Sequence, residues 1–167
     1  GMNLYSLGFS CGLVAMMLVP AFKAFGLNPA SAHYWSTGNN ALLGTALVVL
    51  CLICIAGGLS WKPKVTLKKY WALLRTSGRV PSDYIRTFGR HTVLVNMGVN
   101  GLIATGYILI TGGDLNGATI GAIFTIIGFS GYGKHAFNIV PVMAGVLLGS
   151  LTNHVDPNSS SLQLAGL

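Results

Sequence analysis

Several long apolar segments of this sequence carry no charged residue. The clearest of them, residues 41–60, has twenty residues and contains no Asp, Glu, Lys or Arg. A helix of that length rises about 30 Å, which matches the hydrocarbon thickness of a bilayer. Only 8% of the residues are charged, whereas soluble domains carry roughly 25%. The sequence therefore predicts an all-α integral membrane protein.

Two further apolar segments are long enough to cross a membrane, residues 3–22 and residues 92–112. Three full transmembrane helices are therefore predicted, within a single transmembrane domain formed by residues 1–167. The hydrophilic loop 61–91 holds eight of the ten Lys and Arg residues. Basic residues are enriched in cytoplasmic loops, so this loop is predicted to be cytoplasmic. Confinement of the positive charge to one loop argues against nucleic-acid binding.

Part of this basic loop has the spacing of a short amphipathic helix. Its apolar positions recur at helical intervals: Leu67, Tyr70, Trp71 and Leu74. Thr66 is the expected N-cap and Gly78 the expected end of this helix, and a second short helix is expected to follow a cap at Ser82. Such a helix suits an anionic membrane surface, where the predicted contacts are Lys68, Lys69, Arg75 and Trp71. The alternative is a linker that the positive charges merely keep in the cytoplasm.

The stretch 116–152 contains two apolar segments of about fifteen residues, joined by a glycine-rich turn with the sequence GYGKH. Each segment spans roughly 22 Å as a helix, less than the hydrocarbon core. One interpretation is two short transmembrane helices joined by a surface loop. A second is a re-entrant hairpin of two half-helices whose turn lies at membrane depth, and a third is one long kinked helix. Glycine pairs on each limb, Gly117/Gly121 and Gly145/Gly149, fit tight packing of limb against limb.

Polar residues on the third span and in the turn are the candidates for a functional site. Asn96, Asn100, Tyr107 and Thr111 share one helix face. They serve either as hydrogen bonds between helices or as the lining of a solute pathway. A deep lysine costs about 2.5–3.5 kcal/mol on insertion scales, so Lys134 must be hydrated or paired if the turn is buried. Burial would lower the pKa of His135. The predicted pathway residues are Asn96, Asn100, Tyr107, Thr111, Ser130, Lys134, His135 and Asn138.

Acidic residues are absent from every predicted span. The sequence has no glutamate, and its three aspartates, Asp83, Asp114 and Asp156, all fall in predicted loops. This distribution disfavours a proton or sodium relay and a cation-selective acidic ring. The sequence shows no set of residues arranged for nucleophilic or metal catalysis, so it predicts no enzyme, no metal and no cofactor.

Three segments resemble an uncharacterised family of bacterial polytopic membrane proteins: GMNLYSLGFSCG, LNGATIGAIFTIIGFSGYGKHAFNIVP and PVMAGVLLGS. The most specific part is the pattern G-F-x-x-x-G-K-H followed by N-I-x-P, which this chain matches at Gly128–His135 and Asn138–Pro141. The resemblance implies a longer protein with two related halves, of which this chain is one section. It implies a bacterial inner (plasma) membrane as the location of the protein, and it implies no activity.

The favoured function is a transporter or channel-like facilitator for a small neutral or anionic solute. Its pathway residues are expected to donate hydrogen bonds to that solute, and the chain is expected to form a homo-oligomer or to pair with a second half. The alternative is a membrane scaffold whose basic helix binds lipid or a partner protein. An intramembrane enzyme is the third hypothesis.

Overall fold

The computed structural model describes residues 6–27, 36–78, 82–154, 156–157 and 159–167, and every regular element among them is helical. Residues 3–5 of the first predicted span lie outside the described part. The helices are α1 (Ser6–Ala24), α2 (Asn40–Leu59), α3 (Pro63–Leu74), α4 (Tyr84–Phe88), α5 (Arg90–Ile110), α6 (Gly117–Phe129), α7 (Ala136–Thr152) and α8 (Ser160–Gly166).

The chain divides into two compact units, Gly1–Trp35 and Ser36–Leu167. In the first unit the described element is α1, a helix of 19 residues. In the second unit α5 is the central element, since α2, α3, α4, α6 and α7 all pack against it. The main apolar core lies where α2, α5, α6 and α7 meet and includes Leu47, Ile108, Ile123 and Met143.

Glycines allow α2 and α5 to approach closely. A Cβ atom on Gly98 would lie 2.5 Å from the carbonyl oxygen of Cys51, and one on Gly58 would lie 2.6 Å from that of His91. Small residues at such points let two helix backbones approach without steric conflict. The glycine pairs of α6 and α7 behave differently, because a Cβ on any of them would meet nothing within 4 Å. The predicted packing of limb against limb through Gly117/Gly121 and Gly145/Gly149 is therefore wrong.

Two of the described helices are long and apolar enough to cross a membrane, Asn40–Leu59 and Arg90–Ile110. They agree with the second and third predicted spans to within two residues at each end. The helix α1 is not among them, so the prediction of three full spans is not confirmed. The segments Gly117–Phe129 and Ala136–Thr152 are shorter apolar helices of 13 and 17 residues. They rise roughly 20 Å and 26 Å, as the sequence predicts for limbs shorter than the hydrocarbon core.

The start of α6 is fixed by a capping box. The Asn116 side chain accepts hydrogen bonds from the backbone N–H groups of Ala118 and Thr119, at 3.0 and 3.1 Å. The Thr119 hydroxyl in turn accepts the Asn116 N–H at 2.9 Å. Just before this cap, the Asn40 side chain accepts the N–H of Leu115 at 2.7 Å. The hairpin therefore begins beside the first turn of α2, near the C-terminal end of α5.

The basic loop contains both expected helices, but their starts differ from the prediction. Pro63 at the first helical position sets the start of α3, and the Thr66 hydroxyl donates to the carbonyl of Trp61 instead of capping the helix. Proline is favoured there because the first N–H of a helix has no intrahelical partner. The cap of α4 is Asp83, whose carboxylate accepts the N–H of Arg86 at 3.0 Å, and not Ser82.

The C-terminal helix α8 was not predicted. Its Gln163 is completely buried and donates from Nε2 to the Thr111 hydroxyl at 3.2 Å. A Cβ on Gly166 would collide with the Tyr107 hydroxyl, so α8 lies directly on the last turns of α5. The seven residues of α8, SSLQLAG, are too few to show a helical period, so the sequence alone does not distinguish this helix from a polar tail.

Candidate functional site

The turn between α6 and α7 is buried inside protein. Asn96 of α5 donates from Nδ2 to the carbonyl oxygens of Ser130 (2.8 Å) and Lys134 (2.7 Å). Asn100, one turn further along, donates to the Ser130 hydroxyl (2.7 Å) and to the same Lys134 carbonyl (3.2 Å). Both asparagines are completely buried. They supply hydrogen bonds that this non-helical backbone cannot make to itself.

The position of these contacts along α5 defines the depth of the turn relative to that helix. Asn100 is the eleventh of the 21 residues of Arg90–Ile110. At 1.5 Å per residue it lies roughly 15 Å from either end of the helix. The Lys134 carbonyl therefore meets α5 between Asn96, its seventh residue, and its midpoint at Asn100. The limbs α6 and α7 run from there towards the C-terminal end of α5.

The basic loop covers the same turn from the other side. Tyr84, only 1% exposed, donates its N–H to the Gly131 carbonyl at 3.0 Å. Its hydroxyl lies 2.6 Å from that of Thr76 and 3.4 Å from the Gly133 carbonyl. Gly78 has φ +60°, and a Cβ there would lie 2.5 Å from the Gly133 carbonyl and would also collide with the Asn138 amide. The loop therefore packs on the turn and contacts it through backbone and hydroxyl groups.

His135 and Asn138 hold the start of α7. The Asn138 side chain accepts the His135 N–H at 2.9 Å and donates to the Gly133 carbonyl at 2.8 Å. The His135 ring, 2% exposed, places Nε2 3.0 Å from the Thr76 carbonyl. Burial lowers the pKa of His135, a residue outside both candidate spans, and the hydrogen bond to Thr76 acts in the opposite direction. Burial is thus the main cause of the shift, as expected from the sequence.

The eight predicted pathway residues fall into two groups. Six of them meet at the turn: Asn96, Asn100, Ser130, Lys134, His135 and Asn138. Tyr107 and Thr111 lie further along α5, where they line an apolar groove of about 510 Å³ between α5 and α7. Thr111 also bonds to Gln163 of α8. A common helix face thus extends from the turn to a separate groove.

Lys134 takes part in this site through its backbone. Its carbonyl accepts from both asparagines, while its side chain is half-buried. Replacement of its side chain therefore leaves these hydrogen bonds in place.

The four residues predicted at a lipid surface all lie on exposed positions of the basic loop. Trp71 is 52% exposed, with the Arg75 guanidinium 5.5 Å from the centre of its ring. The predicted apolar stripe is only partly buried, because Leu74 packs inside whereas Leu67 is half exposed. Leu73, which lies off that stripe, is completely buried beside Tyr84 and Val93.

Sequence reasoning missed the contribution of Thr76, Gly78 and Tyr84 to the site. Thr76 and His135 are 59 positions apart, and no local pattern pairs such distant residues. Gly78 offered one usable signal, since a glycine between a helix and a polar loop often has positive φ. It was expected only to end α3.

Comparison with known proteins identifies a family for this chain but no activity. No curated protein and no solved structure matches the chain. The model of a family described as a protein of unknown function, DUF1576, matches residues 62–167. The match contains the basic loop, α5, the hairpin and α8, and thus every residue of the site described above. It excludes the first segment quoted for the resemblance. This chain belongs to the DUF1576 family, as the Gly128–His135 and Asn138–Pro141 patterns predict.

Proposed function

We propose that this chain forms part of a membrane transporter or channel-like facilitator for a small neutral or anionic solute. One observation carries the proposal: a non-helical turn is bound to the midpoint of a candidate transmembrane helix. Irregular backbone at membrane depth is tolerated only where protein or a wet cavity satisfies its hydrogen bonds. Helices broken near the membrane midplane are typical of the substrate sites of transporters.

The proposal places the chain in a bacterial inner membrane with loop 61–91 in the cytoplasm. That orientation follows from the concentration of Lys and Arg in the loop. The hairpin α6–α7 then enters from the outer side and returns to it, with its turn covered from the cytoplasmic side by Thr76 and Tyr84. A second copy, or a second half of a longer protein, would complete the enclosure of a pathway.

A labelling experiment tests the depth of the turn. Tyr132 is the exposed residue of the turn, at 38%, and Lys68 is exposed on α3. In intact inside-out vesicles, whose outer face is the cytoplasmic one, we expect Tyr132→Cys to react with a bulky maleimide–polyethylene glycol about tenfold or more slowly than Lys68→Cys, because a thiol in apolar surroundings ionises less. Unmodified protein measures the background from its native cysteines. Equal labelling of the two positions would place the turn at the surface and remove the main support for a pathway.

Solute flux tests the function directly. In reconstituted vesicles, measured by stopped-flow light scattering, wild-type protein should accelerate the entry of at least one of three probes: urea, glycerol or formate. Lys134→Ala should lower that flux about tenfold, equivalent to about 1.4 kcal/mol. A lysine at membrane depth is hydrated, so its removal leaves a drier turn, which is a higher barrier to a polar solute. The control reverses the charge of Lys68, Lys69 and Arg75 together and should leave flux unchanged.

The exposed face of α3 favours a second candidate function, a scaffold that binds anionic lipid or a partner protein. Leu67 and Trp71 are half exposed beside three basic residues, a combination suited to a charged membrane surface. The same variants separate the two functions. If the protein is a scaffold, vesicles show no flux, Lys134→Ala is silent, and the triple charge reversal abolishes binding to anionic lipid.

A further inference from the structure

Each of the two asparagines that bind the turn has one polar side-chain atom without a hydrogen bond. Their Nδ2 groups face the carbonyl oxygens of Ser130 and Lys134, which can only accept hydrogen bonds. This fixes the orientation of both amides, since the reversed amide would place oxygen against oxygen. The Ser130 hydroxyl donates to the Ile126 carbonyl at 2.8 Å, so it too acts as the acceptor for Asn100. The Oδ1 atoms of both asparagines are thereby left as acceptors.

The two remaining acceptors lie one turn apart on the same helix face. Within the described part of the chain, Oδ1 of Asn96 and Oδ1 of Asn100 have no hydrogen-bond partner. Both side chains are completely buried. The His135 ring is not free in this way, because its Nε2 lies 3.0 Å from the Thr76 carbonyl and its side chain faces the Asn138 N–H in the capping box of α7. Buried polar atoms without partners are rare and costly, so two at one turn indicate a site for a group that is not protein.

The chemistry of these atoms restricts what binds. Both accept hydrogen bonds, so the ligand must donate them, and an anion would meet two electron-rich atoms. A cation would lack a compensating charge. Asp83 caps α4 and Asp114 lies near Gly38 before α2, whereas the charged residue of the turn itself, Lys134, is basic. Burial of an uncompensated charge is unfavourable, which leaves neutral molecules with N–H or O–H groups.

We infer that Asn96 and Asn100 form a solute-recognition subsite, and that its solute is a small neutral hydrogen-bond donor of the urea or polyol class. This inference rests on the proposed solute pathway and narrows its solute. It also assigns the asparagines a double role, because their N–H groups hold the turn while their oxygen atoms receive the solute.

Flux measurements on the full chain in vesicles test the subsite. Wild-type protein should accelerate urea and glycerol and leave formate and nitrate at the rate of protein-free vesicles. Asn100→Leu removes one acceptor and should lower urea flux about 2–10-fold, the range expected for one hydrogen bond. Asn100→Asp retains the acceptor and, when ionised, adds a negative charge, and the Ser130 hydroxyl can rotate to donate to it. The Lys134 carbonyl loses its 3.2 Å contact with Asn100 but keeps the 2.7 Å bond from Asn96. This variant should raise the flux of methylammonium relative to urea.

The possible results separate the inference from the proposed function. Acceleration of formate or nitrate without urea or glycerol leaves the pathway standing and overturns the neutral-donor subsite. Urea flux that is the same in wild type, Asn100→Leu and Asn100→Asp also overturns it, since the acceptors would then hold only a structural water. If no probe crosses, the pathway and the subsite both fail. The Asn100→Asp variant keeps the test decisive if Asn100→Leu does not fold.

Discussion

Replacing Asn96 with leucine should lower the free energy of unfolding by about 2–4 kcal/mol and release the turn between α6 and α7. The substitution removes donors from two buried carbonyls, those of Ser130 and Lys134. The Lys134 carbonyl would keep only its longer contact with Asn100, at 3.2 Å, and the Ser130 carbonyl would lose its Asn96 donor. Because Asn96 is completely buried, both carbonyls would lose this donor in the protein interior, where an unpaired polar group is costly.

Thermal unfolding in detergent, followed by circular dichroism, measures this effect. A loss of 2–4 kcal/mol corresponds to a decrease of about 5–15 °C in Tm for a chain of this length. The matched control is Asn153→Leu, at an exposed asparagine that donates to the Gly149 carbonyl at the end of α7. It should change stability by no more than about 0.5 kcal/mol. An unchanged Tm for Asn96→Leu would contradict the role of Asn96 in holding the turn.

The elements that the sequence predicted well depend on local patterns. The limbs of the hairpin were found because two apolar segments flank a cluster of glycine and polar residues. The asparagine pair was found because Asn96 and Asn100 are four residues apart and therefore share a helix face. Apolar length and helical periodicity are properties of neighbouring residues, and one sequence is enough to detect them.

The errors arose where a partner distant in sequence decides the outcome. The face that α3 buries depends on Tyr84 and Val93, so Leu73 is buried although the predicted stripe excluded it. The glycine pairs on α6 and α7 have the same spacing as a packing motif, but no helix within the described unit covers them. Local chemistry also misled at α4, where Ser82 and Asp83 are both good caps and Asp83 takes the role.

The candidate site was likewise predicted in part, from local patterns, and missed where distant partners decide. Its residues on α5 and in the turn could be named in advance, whereas the state of their polar atoms could not. The asparagines were expected to donate hydrogen bonds to a solute. Their N–H groups are instead bound to Ser130 and Lys134, which leaves the oxygen atoms free. Only the geometry of the turn determines whether the N–H groups or the oxygen atom of each amide is left without a partner. The inferred solute is therefore a hydrogen-bond donor and not an acceptor.

Gly98→Ala should destabilise the chain by about 1–3 kcal/mol, although alanine is the better helix former. The added Cβ would lie 2.5 Å from the Cys51 carbonyl oxygen and 2.6 Å from Cγ1 of Ile55, both on α2. The carbonyl belongs to the α2 backbone, so the two helices must separate to admit the methyl group. The loss should appear as a lower Tm in detergent and as weaker packing of the main core.

Gly106→Ala is the matched control on the same helix, since a Cβ there would meet nothing within 4 Å. Relief of the glycine penalty should make this variant neutral or more stable by about 0.5–1 kcal/mol. If Gly98→Ala lowers stability and Gly106→Ala does not, the cost at Gly98 comes from the contact with α2 and not from helix propensity. Equal changes would mean that α2 and α5 are not packed as closely as described, and the position of the turn against the midpoint of α5 would then lose its structural frame.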